Sequence, residues 1–279
     1  MKDLQGRVAV ITGAASGIGL ALAQGCAQAG MRLVLADIEP GALERARAQF
    51  EEQGTPVLAR QTDVCSAEQV QALADAAFER FGAVHLLCNN AGVASPAHQL
   101  AAWEVPLSDW HWILDVNLLG VVHGLRAFVP RMLAQGEEGH VVNTASLAGL
   151  VAGSGPYHAS KHGVVCLSEG LYLDLHRRNA PISASVLCPG HIRTAIADAE
   201  RNRPDVPDDW SDQVRQQGLA QADAFRKLLE QGYPPEQVAT AVLDAVRADR
   251  FYIVPAQEGQ IQRMRERAQQ ILELRNPAH

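Results

Sequence analysis

Residues 7–19 read RVAVITGAASGIG and run on into LALAQGCAQ at 20–28. The apolar run Val8 to Ile11 ends in a glycine-rich turn, and the turn opens an amphipathic stretch, so this segment spells a buried strand, a tight turn and a helix. Gly13, Gly17 and Gly19 stand where a turn needs conformational freedom and close backbone approach, with Ser16 and Ile18 between them. In that context the helix N-terminus offers backbone amides to a pyrophosphate. A glycine turn by itself also closes ordinary βα loops, so the rest of the chain has to decide.

Short apolar runs recur at RLVLA (32–36), PVLARQ (56–61), VHLLCNN (84–90), HVVNTAS (140–146), SASVLCPG (183–190) and FYIVP (251–255). Between them lie helical patterns at about 17–29, 39–53, 66–81, 107–135, 156–179 and 235–248. Strands alternating with helices predict βαβ units. The expected fold is therefore α/β: a doubly wound, Rossmann-like parallel sheet of about seven strands, helices on both faces and right-handed crossovers. The rhythm breaks from about 191 to 232, a polar, helix-prone segment containing RNRPDVPDDW. It is too long for an ordinary connection and is read as a helical substrate lid. An amphipathic tail follows at about 257–275. With no repeat or linker, residues 1–279 are expected to form a single dinucleotide-binding domain.

A net charge of −7 without a basic block disfavours nucleic acid and anionic membranes as partners and favours a small-molecule substrate. The N-terminus lacks a signal-peptide pattern, and no run of ~18 consecutive apolar residues reads as a membrane span. The expectation is a soluble, cytoplasmic protein. Cys26, Cys65, Cys88, Cys166 and Cys188 are scattered singly, which suggests buried free thiols. His158 and His162 share a helix face, but no third ligand accompanies them, so no metal site is expected.

Asp37 closes the second strand about 20 residues beyond the glycines, where an acid receives ribose hydroxyls. Its carboxylate would repel a 2′-phosphate, and neither Ser16, Ile38 nor Glu39 supplies a compensating cation, so NAD is preferred over NADP. Asp63 and Val64 end the third strand, and Asn90 and Gly92 the fourth, the edge at which ligands bind in such sheets. Asp63 is read as a partner for the adenine amino group, and Asn90 and Gly92 as placing backbone and amide groups beside the nucleotide, although Asn-Gly clusters are also plain turn chemistry.

Tyr157 and Lys161, four residues apart, share one helix face. A tyrosine titrates near ~10, so a base working near neutrality needs a shift of about 3 units, or about 4 kcal/mol. An ammonium at ~4 Å in an effective dielectric of ~20 supplies about that much, with help from an oxidised nicotinamide. Ser146, just past the fifth strand, would hold a substrate oxygen near the phenol. Asn117, a polar residue in the apolar DVNLLG (115–120), would hold a water relaying protons from Lys161. Alone, Ser146 also suits a turn and Asn117 a satisfied core amide.

These residues are where the chain resembles the short-chain dehydrogenase/reductase family. TGxxxGIG is matched by Thr12, Gly13, Gly17, Ile18 and Gly19, NNAG by Asn89 to Gly92, and the tetrad by Asn117, Ser146, Tyr157 and Lys161. PGxxxT is matched by Pro189, Gly190 and Thr194, with Ile192 inside it. The resemblance implies a hydride transfer between nicotinamide and a secondary alcohol or ketone. In it Tyr157 is the acid/base, Lys161 also binds the nicotinamide ribose, Ser146 positions substrate, and Pro189 to Thr194 line the nicotinamide. It also implies pairing through the helices at 107–135 and 156–179, as a homodimer or homotetramer. The C-terminal FYIVPAQEGQIQRMRERAQQIL departs from the family's glycine-rich ending, which leaves a dimer plausible. Trp103, Trp110, Trp112 and Trp210, with the loop Val93 to Trp103, are read as walls for a bulky apolar substrate. A dehydratase or epimerase of the same fold, and a dinucleotide sensor without turnover, remain alternatives.

Overall fold

The computed structural model describes residues 1–95, 100–203, 209–210 and 222–277. Its seven strands are β1 (Val8–Thr12), β2 (Arg32–Asp37), β3 (Val57–Gln61), β4 (Leu86–Asn89), β5 (Gly139–Thr144), β6 (Ile182–Leu187) and β7 (Tyr252–Ile253). They form one sheet in the order β3-β2-β1-β4-β5-β6-β7, and every pair is parallel. The chain winds outward from β1 in one direction, then returns and winds outward from β4 in the other. The reversal opens a crevice at the carboxyl ends of β1 and β4.

Strand periodicity builds the two faces. Ala9 and Ile11 of β1 join one apolar cluster, Val8 and Val10 the other, as alternate side chains of a strand must. The first cluster is closed by α1 (Gly17–Gln28), α2 (Pro40–Glu52) and α8 (Pro235–Ala248). The second is closed by α3 (Ala67–Phe81), α5 (Gly120–Ala134) and the C-terminal part of α6 (Gly155–Arg177). With both faces covered, the central strands read as continuous apolar runs. The tail forms α9 (Glu258–Leu272), which carries no fully buried residue and starts with a reciprocal Gln257–Gln260 capping box.

The pattern read as one helix at 107–135 is α4 (Leu107–Leu114) and α5 joined by a π-helical turn, Asp115–Leu119. Averaged over a window, the Leu107–Ala134 helix is long and apolar enough to cross a membrane, although it contains no unbroken apolar run of that length. Half of that window is buried inside the fold, and α5 packs against α3 and α4 against α6. Its apolarity serves the core.

The excursion at 191–232 is pinned at its base by a parallel bridge between Ile192 and Tyr233. It contains a 3₁₀ segment, Ile196–Asn202, and α7 (222–230), while 204–208 and 211–221 lie outside the described residues. So do 96–99 of the Val93–Trp103 loop. Cys26, Cys88 and Cys188 are buried as expected, but Cys166 is exposed, because it falls on the outer face of α6.

Thr12 ties the two halves of the sheet together. Its hydroxyl accepts from the backbone amides of Asn90 (2.9 Å) and Ala91 (3.1 Å), and the Asn90 amide donates to Thr12 O (3.0 Å). Thr12→Val keeps the shape and leaves two partly buried donors without their protein acceptor. It is expected to cost about 1–3 kcal/mol in urea unfolding, whereas a loss below about 0.5 kcal/mol would show the clamp to be dispensable.

Candidate active site

The crevice is a cavity of about 1280 Å³ that reaches from Asp37 to Tyr157. A site for one drug-sized ligand is ~300–1,000 Å³, so this cavity has room for a dinucleotide and a second molecule together. All the residues singled out in the sequence as cofactor-binding line it except Gly19, and of the tetrad all but Asn117 do.

Gly19 acts one layer below. A Cβ there would lie 1.9 Å from Gly13 O, and one on Gly13 would lie 2.9 Å from the Ala91 Cα. Gly13 (φ +62°) and Gly17 (φ +52°) are in the left-handed region that favours glycine. The glycines thus let the turn fold back under the Asn90–Ala91 backbone. Ser16 sits at the N-cap of α1 with no side-chain capping bond, so the first-turn amides of this long helix face the cavity uncapped. Thr194 closes over them, its Cγ2 3.1 Å from where a Gly17 Cβ would stand.

Asp37 is 8% exposed and accepts from Ala15 N (2.9 Å) and Glu39 N (3.1 Å), one amide per carboxylate oxygen. Lone pairs remain on both oxygens for a ligand diol. The structure also brings in a cation that sequence reasoning missed. Arg201, from the 3₁₀ segment, lies 2.9 Å from Glu39 and also donates to Ala195 O and Asp198 O. No local sequence signal links positions 39 and 201. Asp63 lines the cavity with one carboxylate oxygen bonded to Cys65 N, and Val64 packs under Gly120.

On the other side Ser146 caps a short 3₁₀ turn, Leu147–Gly149, accepting from Ala148 N at 3.1 Å. Its hydroxyl donates to Pro189 O at 3.5 Å and stands near enough to the Tyr157 phenol to favour its ionised form. The Lys161 ammonium is 2% exposed, donates to Thr144 O (3.1 Å) and lies 5.7 Å from the Tyr157 ring centroid. Burial raises the Tyr157 pKa above its ordinary value, and the Ser146 hydroxyl only partly offsets it. This differs from the expectation that a nearby ammonium lowers the phenol. Desolvation is the larger effect here, and it also lowers Lys161 to about 8.

Asn117 lies in the π-helical turn, fully buried. Its Oδ1 accepts from Val93 N (2.8 Å), and its Nδ2 donates to Val93 O (3.0 Å) and Ser160 Oγ (3.3 Å). Both amide protons are used and Oδ1 accepts one bond, so the side chain clamps the strand-to-loop backbone. It stands beside Gly92, where a Cβ would meet Asn117 Oδ1 and Lys161 Nζ, each at 3.3 Å. That missing Cβ keeps open the floor above Lys161, and with the uncapped α1 amides and Asp37 it makes the residues present a fit for a nicotinamide dinucleotide.

Of the four tryptophans, only Trp112 lines the cavity among the described residues; Trp103 is 87% exposed. Trp210 acts through a neighbour, its Nε1 bonded to Asp109 (3.0 Å) and its ring facing Arg203. Gln260 and Arg263 of α9 also reach the cavity, although the sequence marks the tail only as amphipathic. His158 and His162 each bond a backbone carbonyl one turn back, Ser154 O and His158 O.

A family model described as short chain dehydrogenase matches residues 7–205. The crystal structure of a short chain dehydrogenase/reductase from Burkholderia phymatum in complex with NAD matches with a TM-score of 0.94 at 43% identity, covering 100% of this chain and 99% of that one. A CLA biosynthesis dehydrogenase/reductase of Lactiplantibacillus plantarum is 36% identical over 258 residues, 91% of this chain and 89% of its own. The 1-deoxy-11-beta-hydroxypentalenate dehydrogenase of Streptomyces exfoliatus is 38% identical over 260 residues, 92% of this chain and 86% of its own.

The buried ammonium has a consequence for stability. With Lys161 at about 8 in the fold against 10.5 when exposed, its charged form is disfavoured by folding. The penalty is full below pH 8 and fades as the pH rises from 8 to 10.5. Lys161→Met is expected to raise the stability of the ligand-free protein at pH 7 by about 1–3 kcal/mol, after allowing for the lost bond to Thr144 O. The gain should shrink toward pH 10. Urea midpoints at the two pH values check this, and a variant no more stable than the native chain at pH 7 would contradict it.

Proposed function

The chain belongs to the short-chain dehydrogenase/reductase family, and from that premise we propose that it is an NAD-dependent oxidoreductase interconverting a bulky, largely apolar secondary alcohol and its ketone. The observation that carries the reading is the convergence of Ser146, Tyr157 and Lys161 on one cavity that also holds the uncapped α1 turn and the Asp37 carboxylate.

The cofactor's ribose hydroxyls would be held by Asp37, its pyrophosphate by the amides following Gly13 and Ser16, and its nicotinamide end by Pro189, Gly190, Ile192 and Thr194. Asp63, Val64, Asn90 and Gly92 would flank the adenine and the adjoining ribose. When bound, nicotinamide takes the hydride from the carbinol carbon in oxidation and returns it in reduction. The chain's own residues handle the proton. Tyr157 takes it from the substrate hydroxyl or gives it to the substrate carbonyl oxygen, and Ser146 donates a hydrogen bond that holds that oxygen beside the phenol. Lys161 stabilises the phenolate and binds the nicotinamide ribose. Asn117 acts from behind, fixing Val93 and hence the loop on which substrate rests.

The preference for NAD rests on charge. A 2′-phosphate would meet Asp37 and Glu39, and Arg201, the cation that the described residues bring to Glu39, is already paired with it. The substrate side is lined by apolar side chains such as Val93, Val151, Ile196 and Leu228, which supports a bulky apolar group. Leu107, Leu119 and Leu173, exposed on the long helices, support a homo-oligomer formed through those faces, acting in the cytoplasm.

A panel of aliphatic and aromatic secondary alcohols, followed by NADH absorbance, tests the reading. Turnover with NAD is expected, and Tyr157→Phe should lower kcat by about 10²–10⁴-fold while the Kd for NAD holds. Tight NAD binding without turnover on the whole panel would favour a sensor. For the cofactor, Asp37→Ser removes acceptors worth about 1.5–3 kcal/mol, so kcat/KM with NAD should fall by about 10–100-fold and the NAD/NADP ratio should drop further. An unchanged ratio would overturn the assignment of Asp37.

A further inference from the structure

A buried polar cluster beside the cavity takes no part in the chemistry described above. Asp109, the third residue of α4, is completely buried and does not line the cavity. Its Oδ1 accepts from Arg203 Nη1 (2.7 Å) and Trp210 Nε1 (3.0 Å), and its Oδ2 accepts from the Ser95 hydroxyl. The Arg203 guanidinium also donates to Ser108 Oγ (3.2 Å) and Glu200 Oε1 (3.3 Å). It is stacked between two indoles, 4.9 Å from the Trp112 ring and 5.4 Å from that of Trp210. Ser108 in turn donates from both its amide and its hydroxyl to Asp209.

Four separate segments therefore meet at one carboxylate: the loop after β4, the start of α4, the end of the 3₁₀ segment, and residues 209–210. The loop after β4 is gripped at two points, Val93 by Asn117 and Ser95 by Asp109, and Ala94 between them faces the cavity. Arg203 and Trp112 line the cavity too. Asp109, 2.7 Å from the guanidinium, balances its charge, so the wall it shares with the Trp112 indole carries a paired charge. A buried ion pair is a poor source of stability, since desolvation offsets most of the attraction. Its fixed geometry is what an apolar pair of the same size would lack.

We propose that Asp109 and Arg203 are positioning residues that set the substrate-side wall of the cavity, holding the Trp112 indole and the Ala94 backbone against a bulky apolar group of the substrate. The inference deepens the dehydrogenase reading and rests on it for its kinetic consequences, but not for its structural one. Among the described residues the pair bonds Ser95, Ser108 and Trp210 and faces Trp112, and has no bond to Asp37 or the α1 turn, so it acts on the substrate side.

The test uses Arg203→Met, Asp109→Asn and the double variant Asp109→Leu/Arg203→Met, in the full chain with NAD. Both single variants should raise KM for a bulky secondary alcohol at least tenfold, with kcat lowered less than threefold and the Kd for NAD within twofold of native. The double variant, which leaves no buried charge unpaired, should fold at least as stably as either single variant and retain the high KM. Amide hydrogen exchange, read without substrate, should speed up in 196–203 and 222–230 in all three while the sheet stays protected. If KM and exchange match the native chain, the proposal is overturned. Equal losses in NAD affinity, kcat and melting temperature would overturn it too, since they mark a merely structural pair. If no alcohol is turned over by the native chain, the dehydrogenase reading fails, and unchanged exchange in these variants would separately overturn the positioning role.

Discussion

The Thr12 side chain joins the ends of β1 and β4, and the site depends on that joint. The sheet reverses its winding between these two strands, whose backbone ladder runs from Ala9 and Leu86 to Ile11 and Cys88. Beyond the ladder one hydroxyl, accepting from the amides of Asn90 and Ala91, carries the contact on past the strand ends. Because the Asn90–Ala91 backbone is drawn onto the glycine turn, Gly13 can carry no side chain, and because the turn folds onto itself, neither can Gly19. The next link is Asn117, which takes both backbone groups of Val93. Its π-helical turn sets it at the level of Gly92 and Lys161, and such turns interrupt helices most often where a side chain must be aimed. The cofactor cradle and the lysine floor are thus two ends of one chain of hydrogen bonds.

What the sequence made legible was whatever is local. The strand runs, the glycine spacing, the acid closing β2 and the Tyr157–Lys161 spacing all encode their geometry within a few residues, and each stands where the reading put it. The π-helical turn was not legible, because DVNLLG has the composition of an ordinary apolar helix and the extra residue per turn is set by the Val93 backbone packed against it. Arg201 beside Glu39, and Arg203 with Trp210 around Asp109, join residues roughly a hundred or more apart in the chain. Asp109 by itself reads as a common helix N-terminal acid. The tryptophans show the same limit from the other side: their identity suggested a pocket wall, but only packing distinguishes Trp112 from the exposed Trp103.

The proton-handling pair shows where elementary electrostatics has to be applied to the actual geometry. The ammonium lies 5.7 Å from the phenol ring centroid. At about that distance and an effective dielectric of ~20, two unit charges attract by about 3 kcal/mol, somewhat short of the ~4 kcal/mol that would carry a phenol from ~10 to neutrality. Burial then acts against ionisation of both groups, raising the tyrosine and lowering the lysine to about 8. At neutral pH the ligand-free chain therefore holds a phenol and an ammonium, with the Ser146 hydroxyl beside the phenol.

That resting state is suited to giving a proton to a carbonyl oxygen. Taking one from an alcohol needs more positive charge near the phenol than the chain supplies, because Lys161 is the only cation it buries there among the described residues and Thr144 O shares its protons. An oxidised nicotinamide carries such a charge, whereas its reduced form does not. In the proposed reaction the same buried pair would be a proton donor beside a neutral ring and a proton acceptor beside a positive one. Burial, which looks adverse when each pKa is considered singly, is what makes the phenol responsive to the charge beside it. In a solvated site that charge would be screened, and the two directions of the reaction would no longer be matched to the two states of the tyrosine.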